Sequence, residues 1–342
     1  MKRIIPLCLA LVMTVGLLAG CGKQNEQTAS DKTRLRVVTT IFPEYDWVRE
    51  ILGDKADNAE VTMLLDNGVD LHSYQPTADD IVKISECDLF IYVGGESDDW
   101  VDDALKNAAN KNMKVINLLE ALGERVKTEE AVEGMQEEEH DHDHDHEDAD
   151  EHEDAKEHDH EEEAEYDEHI WLSLKNAQTL CSAISSVLQQ IDPDNKDTYA
   201  ANASAYIKKL SALDADYQAA VDAAARKTVL FGDRFPFRYL AEDYGLRYYA
   251  AFAGCSAESE ASFETISFLA GKVDELNLPC VLTIEGVQHK IAETIVRNTA
   301  AKNQKVLMMD SMQSTTSKDA ANGTTYLSVM ERNLSVLKEA LG

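Results

Sequence analysis

The chain contains no Cys-x-x-Cys pair and no His-Glu-x-x-His motif. The first absence argues against a zinc-thiolate cluster. The second removes a common helical signature of zinc hydrolases. Basic residues are scarce: 32 Lys+Arg stand against 64 Asp+Glu, a formal net charge of -32. Such a chain repels nucleic-acid phosphates and attracts cations. Outside one segment the chain has almost no histidine, only His72 and His289. A bilayer-spanning apolar run is also lacking, because the run from Ile4 to Leu18 is too short and wrongly flanked.

The remaining histidines are concentrated between Glu137 and His169. Eight of the ten lie there: His140, His142, His144, His146, His152, His158, His160 and His169. The rest of the segment is mostly Asp and Glu. Imidazole nitrogen is the commonest protein ligand for zinc, and carboxylates add oxygen donors. Strict His-Asp alternation differs from generic acidic disorder and points to transition-metal ions. The tract has almost nothing to bury, so it is expected to stay disordered. Its first seven histidines would bind ions weakly and enrich metal locally. Most of the net negative charge falls between Glu129 and Glu168, so the rest of the chain is closer to neutral.

Lys2 and Arg3, an apolar run and then small residues describe a secretory signal peptide. The ending Leu18-Ala19-Gly20-Cys21 resembles the lipobox of bacterial lipoproteins, and the resemblance implies that Cys21 is lipidated. Gly22 to Thr33 reads as a flexible tether. The protein is therefore expected on the extracytoplasmic face of a bacterial membrane, anchored by lipid. Of the other cysteines, Cys87, Cys181, Cys255 and Cys280 remain after export; four allow three pairings, and the sequence does not choose among them. Cys181 on a helical pattern and Cys280 in an apolar run suit small buried hydrophobes. That is the default reading for the cysteines.

Strand-like runs at Arg36–Phe42, Val61–Leu65, Asp88–Val93 and Lys114–Leu118 alternate with helical patterns. One of these helices opens at Thr77, with Asp80 at the capping-box position. The alternation restarts with strands at Thr228–Phe231, Leu246–Phe252, Cys280–Ile284 and Lys305–Met309. Such alternation predicts α/β lobes built on mostly parallel sheets. Between them, Tyr199, Ala203, Tyr206, Leu210, Leu213, Tyr217 and Val221 recur in steps of three and four. They predict one long amphipathic helix without Gly or Pro, a rigid spine joining two lobes. The expected division is a signal peptide at 1–20, a lipidated tether at 21–33 and an N-terminal lobe at 34–136. The acidic His-rich loop follows at 137–168, the end of the first lobe at 169–194, the spine helix at 195–225 and a C-terminal lobe at 226–342.

Ligands of open α/β sheets bind beyond the carboxyl ends of strands. His72 follows the strand Val61–Leu65, and Asp310 follows Lys305–Met309. His169 closes the acidic tract. His289, early in a helix, reads as a plain surface residue.

Several motifs, in order, carry a family resemblance. They are Thr39-Thr40-Ile41-Phe42-Pro43 with Tyr45-Asp46-Trp47-Val48, Gly68-Val69-Asp70-Leu71-His72, Asp167-Glu168-His169-Ile170-Trp171-Leu172, Tyr244-Gly245-Leu246 and the closing Tyr326 to Leu341. The chain resembles the solute-binding proteins of bacterial zinc and manganese ABC transporters, including related metal-binding adhesins. The resemblance implies two lobes clamping a metal in the cleft between them. It implies His72 and His169 as ligands, with Asp310 as a carboxylate ligand. The family's third ligand is a His or Glu in a Ser-His-x-x-Phe-x-Tyr pattern, where this chain has Asp233-Arg234-Phe235-Pro236-Phe237-Arg238-Tyr239. Arg234 falls on the ligand position, and a guanidinium only donates. Asp233 or water then fills the place, and Arg234 is free to pair with Asp310, Glu258 or Glu260.

Two imidazoles and one or two carboxylates suit Zn(II), and a more oxygen-rich site would admit Mn(II). The expected function is zinc capture for delivery to an ABC permease by a monomer. The alternatives are a manganese-preferring binding protein or a metal-binding surface adhesin. A metalloenzyme with Glu285 as base is disfavoured by the missing helix motif. Because a ligating imidazole must be deprotonated, affinity should weaken as pH falls through about 6.5. Deleting Glu137 to Glu165 is expected to abolish weak zinc sites in calorimetric titration and leave one tight site. Loss of the tight site as well would show that its ligands lie in the deleted segment.

Overall fold

The computed structural model describes residues 34–136, 165–256, 260–286 and 289–342. The expected signal peptide, Cys21 with its tether, His140, His142, His144, His146, His152, His158, His160 and Glu258 lie outside the described residues. The first sheet is built from β1 (Leu35–Thr39), β2 (Ala59–Met63), β3 (Leu89–Tyr92) and β4 (Lys114–Asn117), all parallel, in the order β2-β1-β3-β4. Its helices are α1 (Phe42–Leu52), α2 (Ala78–Glu86), α3 (Trp100–Lys106) and α4 (Leu118–Leu122). The central strands bury Val37, Val38, Leu89, Phe90 and Ile91. This is the continuous apolar run of a strand covered on both faces. The Thr77 capping box forms as the sequence predicts: Asp80 N donates to Thr77 Oγ1 at 3.2 Å, and Thr77 N donates to Asp80 Oδ2 at 3.0 Å.

Two helices follow, α5 (Leu174–Ile191) and the 28-residue α6 (Lys196–Ala223). At 1.5 Å per residue α6 is about 42 Å long. It buries the face read from its spacing, Tyr199, Ala203, Tyr206, Leu210, Leu213, Tyr217 and Val221. Toward its start, Asn202 Nδ2 donates to Ile51 O at 3.0 Å. Toward its end, Tyr217 OH donates to Met330 O at 2.6 Å. The spine therefore grips a helix of each lobe.

The second sheet comprises β5 (Thr228–Arg234), β6 (Arg247–Phe252), β7 (Cys280–Thr283) and β8 (Lys305–Met308), parallel in the order β6-β5-β7-β8. Around it lie α7 (Arg238–Asp243), α8 (Phe263–Glu275), α9 (Lys290–Asn298), α10 (Ser317–Ala321) and α11 (Tyr326–Leu341). The short helices α4 and α10 escape the sequence reading, because five residues carry too little periodicity. β5 runs to Arg234, past its expected end at Phe231, which makes Asp233 and Arg234 strand residues. Among the described residues no helix is long and apolar enough to cross a membrane.

The seam between the sheets is buried. One continuous apolar core takes residues from both, from Val37 to Leu341. Trp47 of α1 meets Tyr326 of α11 edge-on, with ring centroids 5.2 Å apart. Tyr326 OH donates to Trp171 O at 2.6 Å, and Trp171 Nε1 donates to Ser311 O at 2.8 Å. Each fully buried large side chain contributes roughly 1.5–3 kcal/mol relative to exposure. Wide opening along this seam would expose several of them, so the cleft above it has a firm floor.

Asp46 adds a titrating group to that floor. Its Oδ2 accepts from Tyr326 N at 3.0 Å, and burial pushes its pKa up to about 7. The folded state thus holds a proton that the unfolded state loses from about pH 4 upward. Stability is full below that pH and declines until about pH 7, by at most roughly 4 kcal/mol. Asp46→Asn keeps an oxygen for Tyr326 N and carries no charge. It is expected to raise Tm by several degrees at pH 8 and by much less at pH 4. Equal Tm shifts at both pH values in thermal melts would contradict this.

Candidate metal centre

His72 and His169 come together at the carboxyl end of the first sheet. His72 sits in a single 3-10 turn, Leu71–Ser73, capped by Asp70, whose Oδ1 accepts from His72 N at 3.1 Å. His169 precedes a second such turn, Ile170–Leu172. The segments on either side of the acidic tract bring it there: Thr128 and Tyr166 form an isolated antiparallel bridge, and Asp167 N donates to Lys127 O at 2.9 Å. His169 is fully buried, and His72 is partly exposed.

The Nε2 atoms of the two rings face each other at 3.2 Å. Each Nδ1 is already engaged. That of His169 lies 3.0 Å from Asp167 Oδ1, and that of His72 lies 2.8 Å from Ser97 Oγ and 3.4 Å from Glu168 Oε2. A carboxylate at Nδ1 holds the proton there and turns the Nε2 lone pair outward, the usual arrangement behind a metal-bound imidazole. Two lone pairs at this separation need a proton or a cation between them. Burial lowers the pKa of His169, but the hydrogen bond and charge of Asp167 outweigh it and leave it above the ordinary value. Burial and the neighbouring His169 lower that of His72. Two nitrogens at 2.0–2.1 Å on a tetrahedral zinc lie about 3.3 Å apart, so the spacing fits.

The model of the periplasmic zinc-uptake complex component A family, ZnuA, matches residues 37–340. The chain belongs to this family. It is 32% identical over 339 residues to the zinc-binding lipoprotein AdcA of Streptococcus pneumoniae, covering 99% of this chain and 61% of that protein. The chain thus spans about three-fifths of that relative's length. It is 31% identical over 327 residues to the high-affinity zinc uptake system protein ZnuA of Bacillus subtilis, covering 95% of this chain and 94% of that one. Among solved structures, the Zn(II)-bound ZnuA-like domain of S. pneumoniae AdcA superposes with a TM-score of 0.66 at 28% identity, covering 90% of this chain and 99% of the domain.

Two expected ligands, Asp233 and Asp310, have hydrogen-bond partners of their own and do not belong to the close donor group. Asp233 Oδ2 accepts from Thr283 Oγ1 at 2.6 Å and from Ile284 N at 3.4 Å, and Oδ1 accepts from Arg234 N at 2.9 Å. It ties β5 to β7 and does not join the histidine pair. Asp310 Oδ1 accepts from Met312 N at 2.9 Å, and Oδ2 lies 3.6 Å from Arg332 Nη2. Asp310 also stands outside the close ligand group. Glu285, the base imagined for an enzyme, accepts from Ser311 N, Ser311 Oγ and Gln313 N. Together with Asp310 it holds the loop in which Met312 adopts a left-handed φ of 65°. His289 is no plain surface residue: it lines a cavity of about 750 Å³ with His72 and Arg234, its Nδ1 3.1 Å from Thr283 Oγ1.

Sequence reasoning left Cys255 among the inert cysteines. One ligand atom from each of His72, His169 and Cys255 lies within 4.8 Å of the others. All four described cysteines are unpaired, and Cys255 alone among them is partly exposed. The strand-end rule that picked out His72 would also have found it, since Cys255 follows β6.

Among the described residues Arg234 pairs with Asp70 and not with Asp310 or Glu260, and Glu258 lies outside the described residues. Arg234 Nη2 lies 2.6 Å from Asp70 Oδ2, and its Nη1 donates to Ser256 O at 3.4 Å. The cation that replaced a ligand thus clamps the His72 turn of the first lobe to the Cys255 loop of the second. Both charges are mostly shielded, with side-chain exposures of 19% and 23%. Losing one partner of such a pair leaves the other charge half-buried and unpaired, a cost of about 2 kcal/mol or more. Arg234→Met and Asp70→Asn are each expected to lower the stability of the metal-free protein. The double variant should lose less than the sum, with a coupling of about 1–3 kcal/mol in denaturant melts. Strict additivity would show that the clamp carries no stability.

Proposed function

We propose that this chain captures Zn(II) outside the cytoplasm, holds it between His72 and His169, and hands it to a membrane ABC permease. The observation that carries this reading is the pair of Nε2 atoms facing at 3.2 Å, each ring oriented by a hydrogen bond at Nδ1. The names of its relatives support it: one is a zinc-binding lipoprotein and another a zinc uptake protein. Lipidation at Cys21 would keep the protein at the membrane beside its permease. The seven tract histidines would collect ions and feed them toward His169.

Capture here needs little motion. The donors are pre-oriented on a rigid floor, so the site loses little entropy on binding. Release requires separating His72, on the first lobe's loop, from groups supplied by the second lobe. The Arg234–Asp70 clamp is the contact a permease would have to break.

Imidazoles suit zinc and place it above manganese in affinity. A ligating imidazole must be free of its proton, and Asp167 raises the pKa of His169 above its ordinary value, so competition from protons grows as pH falls. In calorimetric titration one tight zinc site per chain is expected. His72→Ala and His169→Ala should each weaken it by more than about 100-fold, beyond the usual effect of losing an outer partner. Asp310→Asn should weaken it by less than about tenfold, since Asp310 is engaged by Met312 and Arg332. Zinc affinity in wild type should fall steadily from pH 8 to pH 6. An unchanged tight site in His72→Ala would put the ion elsewhere, and a flat pH profile would remove the proton competition.

A further inference from the structure

The facing imidazoles supply two donors, and zinc takes four. The position held by a third donor in the family carries Arg234, which cannot ligate. The third member of the close donor group is the thiol of Cys255: one donor atom each of His72, His169 and Cys255 lies within 4.8 Å of the others, and Sγ stands 4.0 Å from Nδ1 on the Asp167 side of the His169 ring. We propose that Cys255 is the third protein ligand, so that the ion is held by two imidazoles and one thiolate with water completing the tetrahedron. This rests on the reading of His72 and His169 as ligands.

The loop carrying Cys255 is built for close approach. Gly254 lies flat against the His169 ring; a Cβ there would stand 3.1 Å from Nδ1 and Cε1, and 3.0 Å from Phe235 O. Any side chain at 254 would push Cys255 away. The loop is also held from both sides. Cys255 N donates to Glu129 Oε1 at 2.8 Å, and Ser256 O accepts from Arg234 at 3.4 Å. A tetrahedral zinc with sulfur at 2.3 Å and nitrogen at 2.0–2.1 Å separates them by about 3.6 Å. The nitrogens already fit at 3.2 Å, and sulfur, in a donor group spanning 4.8 Å, has to approach by about an ångström. The thiol releases its proton to solvent as the metal-sulfur bond forms.

Cys87, Cys181 and Cys280 are fully buried in apolar core, as inert cysteines are. Cys255 is only partly buried and stands beside two imidazoles. A thiolate changes which ions the site prefers. Soft donors favour Zn(II) and Cd(II) and disfavour Mn(II). The chain thus replaces the family's third nitrogen or oxygen donor with sulfur, brought in by a different strand. The cargo class becomes thiophilic divalent cations.

The test is Co(II) added at one equivalent to the full chain, so that the tight site fills before the tract. Wild type should show the visible bands of tetrahedral cobalt and a near-ultraviolet thiolate-to-cobalt charge-transfer band. Cys255→Ser should keep the visible bands, lose the near-ultraviolet band, and bind zinc roughly ten- to a hundredfold more weakly with a narrowed zinc-over-manganese preference. Gly254→Val, which leaves every donor in place but moves the loop, should also weaken the near-ultraviolet band. Visible tetrahedral bands in wild type without the charge-transfer band would overturn the thiolate and spare the histidine pair. A charge-transfer band that survives in Cys255→Ser would overturn it as well. Absence of both bands in wild type, with zinc affinity insensitive to His72→Ala, would overturn the histidine reading too.

Discussion

Two imidazole nitrogens held 3.2 Å apart are the constraint around which this protein is arranged. Neither ring is free to turn, because Asp167 and Ser97 hold the opposite nitrogens. Facing lone pairs repel, so the arrangement calls for a cation between them. In the proposed function that cation is Zn(II), received at a place prepared by the fold.

That preparation depends on structure well below the cleft. Trp171 follows His169 by two residues, and its indole is locked to Ser311 O of the second lobe. Tyr326 closes the same seam from the other side, between Trp47 and Trp171 O. The long helix α6 fixes the two lobes from behind. His169 thus stands directly above the buried seam, while the His72 turn, the Cys255 loop and the Arg234–Asp70 bridge surround it on the cleft side.

Much of this was legible from residues alone. The seven apolar positions of α6 were all buried as their spacing required, since a long amphipathic helix has only one way to hide its stripe. The parallel strands were legible for a similar reason, as runs too apolar to face water. His72 stood out as one of two histidines beyond the tract, and His169 through the family resemblance of the motif that closes it. The carboxylate assignments were weaker. Asp233 and Asp310 sit near strand ends as ligands do, but position along a strand says nothing about which neighbour a carboxylate answers to. Thr283 and Ile284 claim the first, and Met312 and Arg332 the second. Cys255 had the opposite fate: it follows a strand end as His72 does, but nothing in the sequence says that it meets His169.

The sequence by itself determined the class of fold and the spine, because both are written in local periodicity, and it singled out the two histidines through the motifs that carry them. Only the tertiary structure decided the partners of Arg234 and the company of Cys255. Asp70 and Arg234 are 164 residues apart, and Cys255 and His169 are 86 apart. Such pairings are set by how two sheets pack against one seam, and no short-range pattern encodes that geometry.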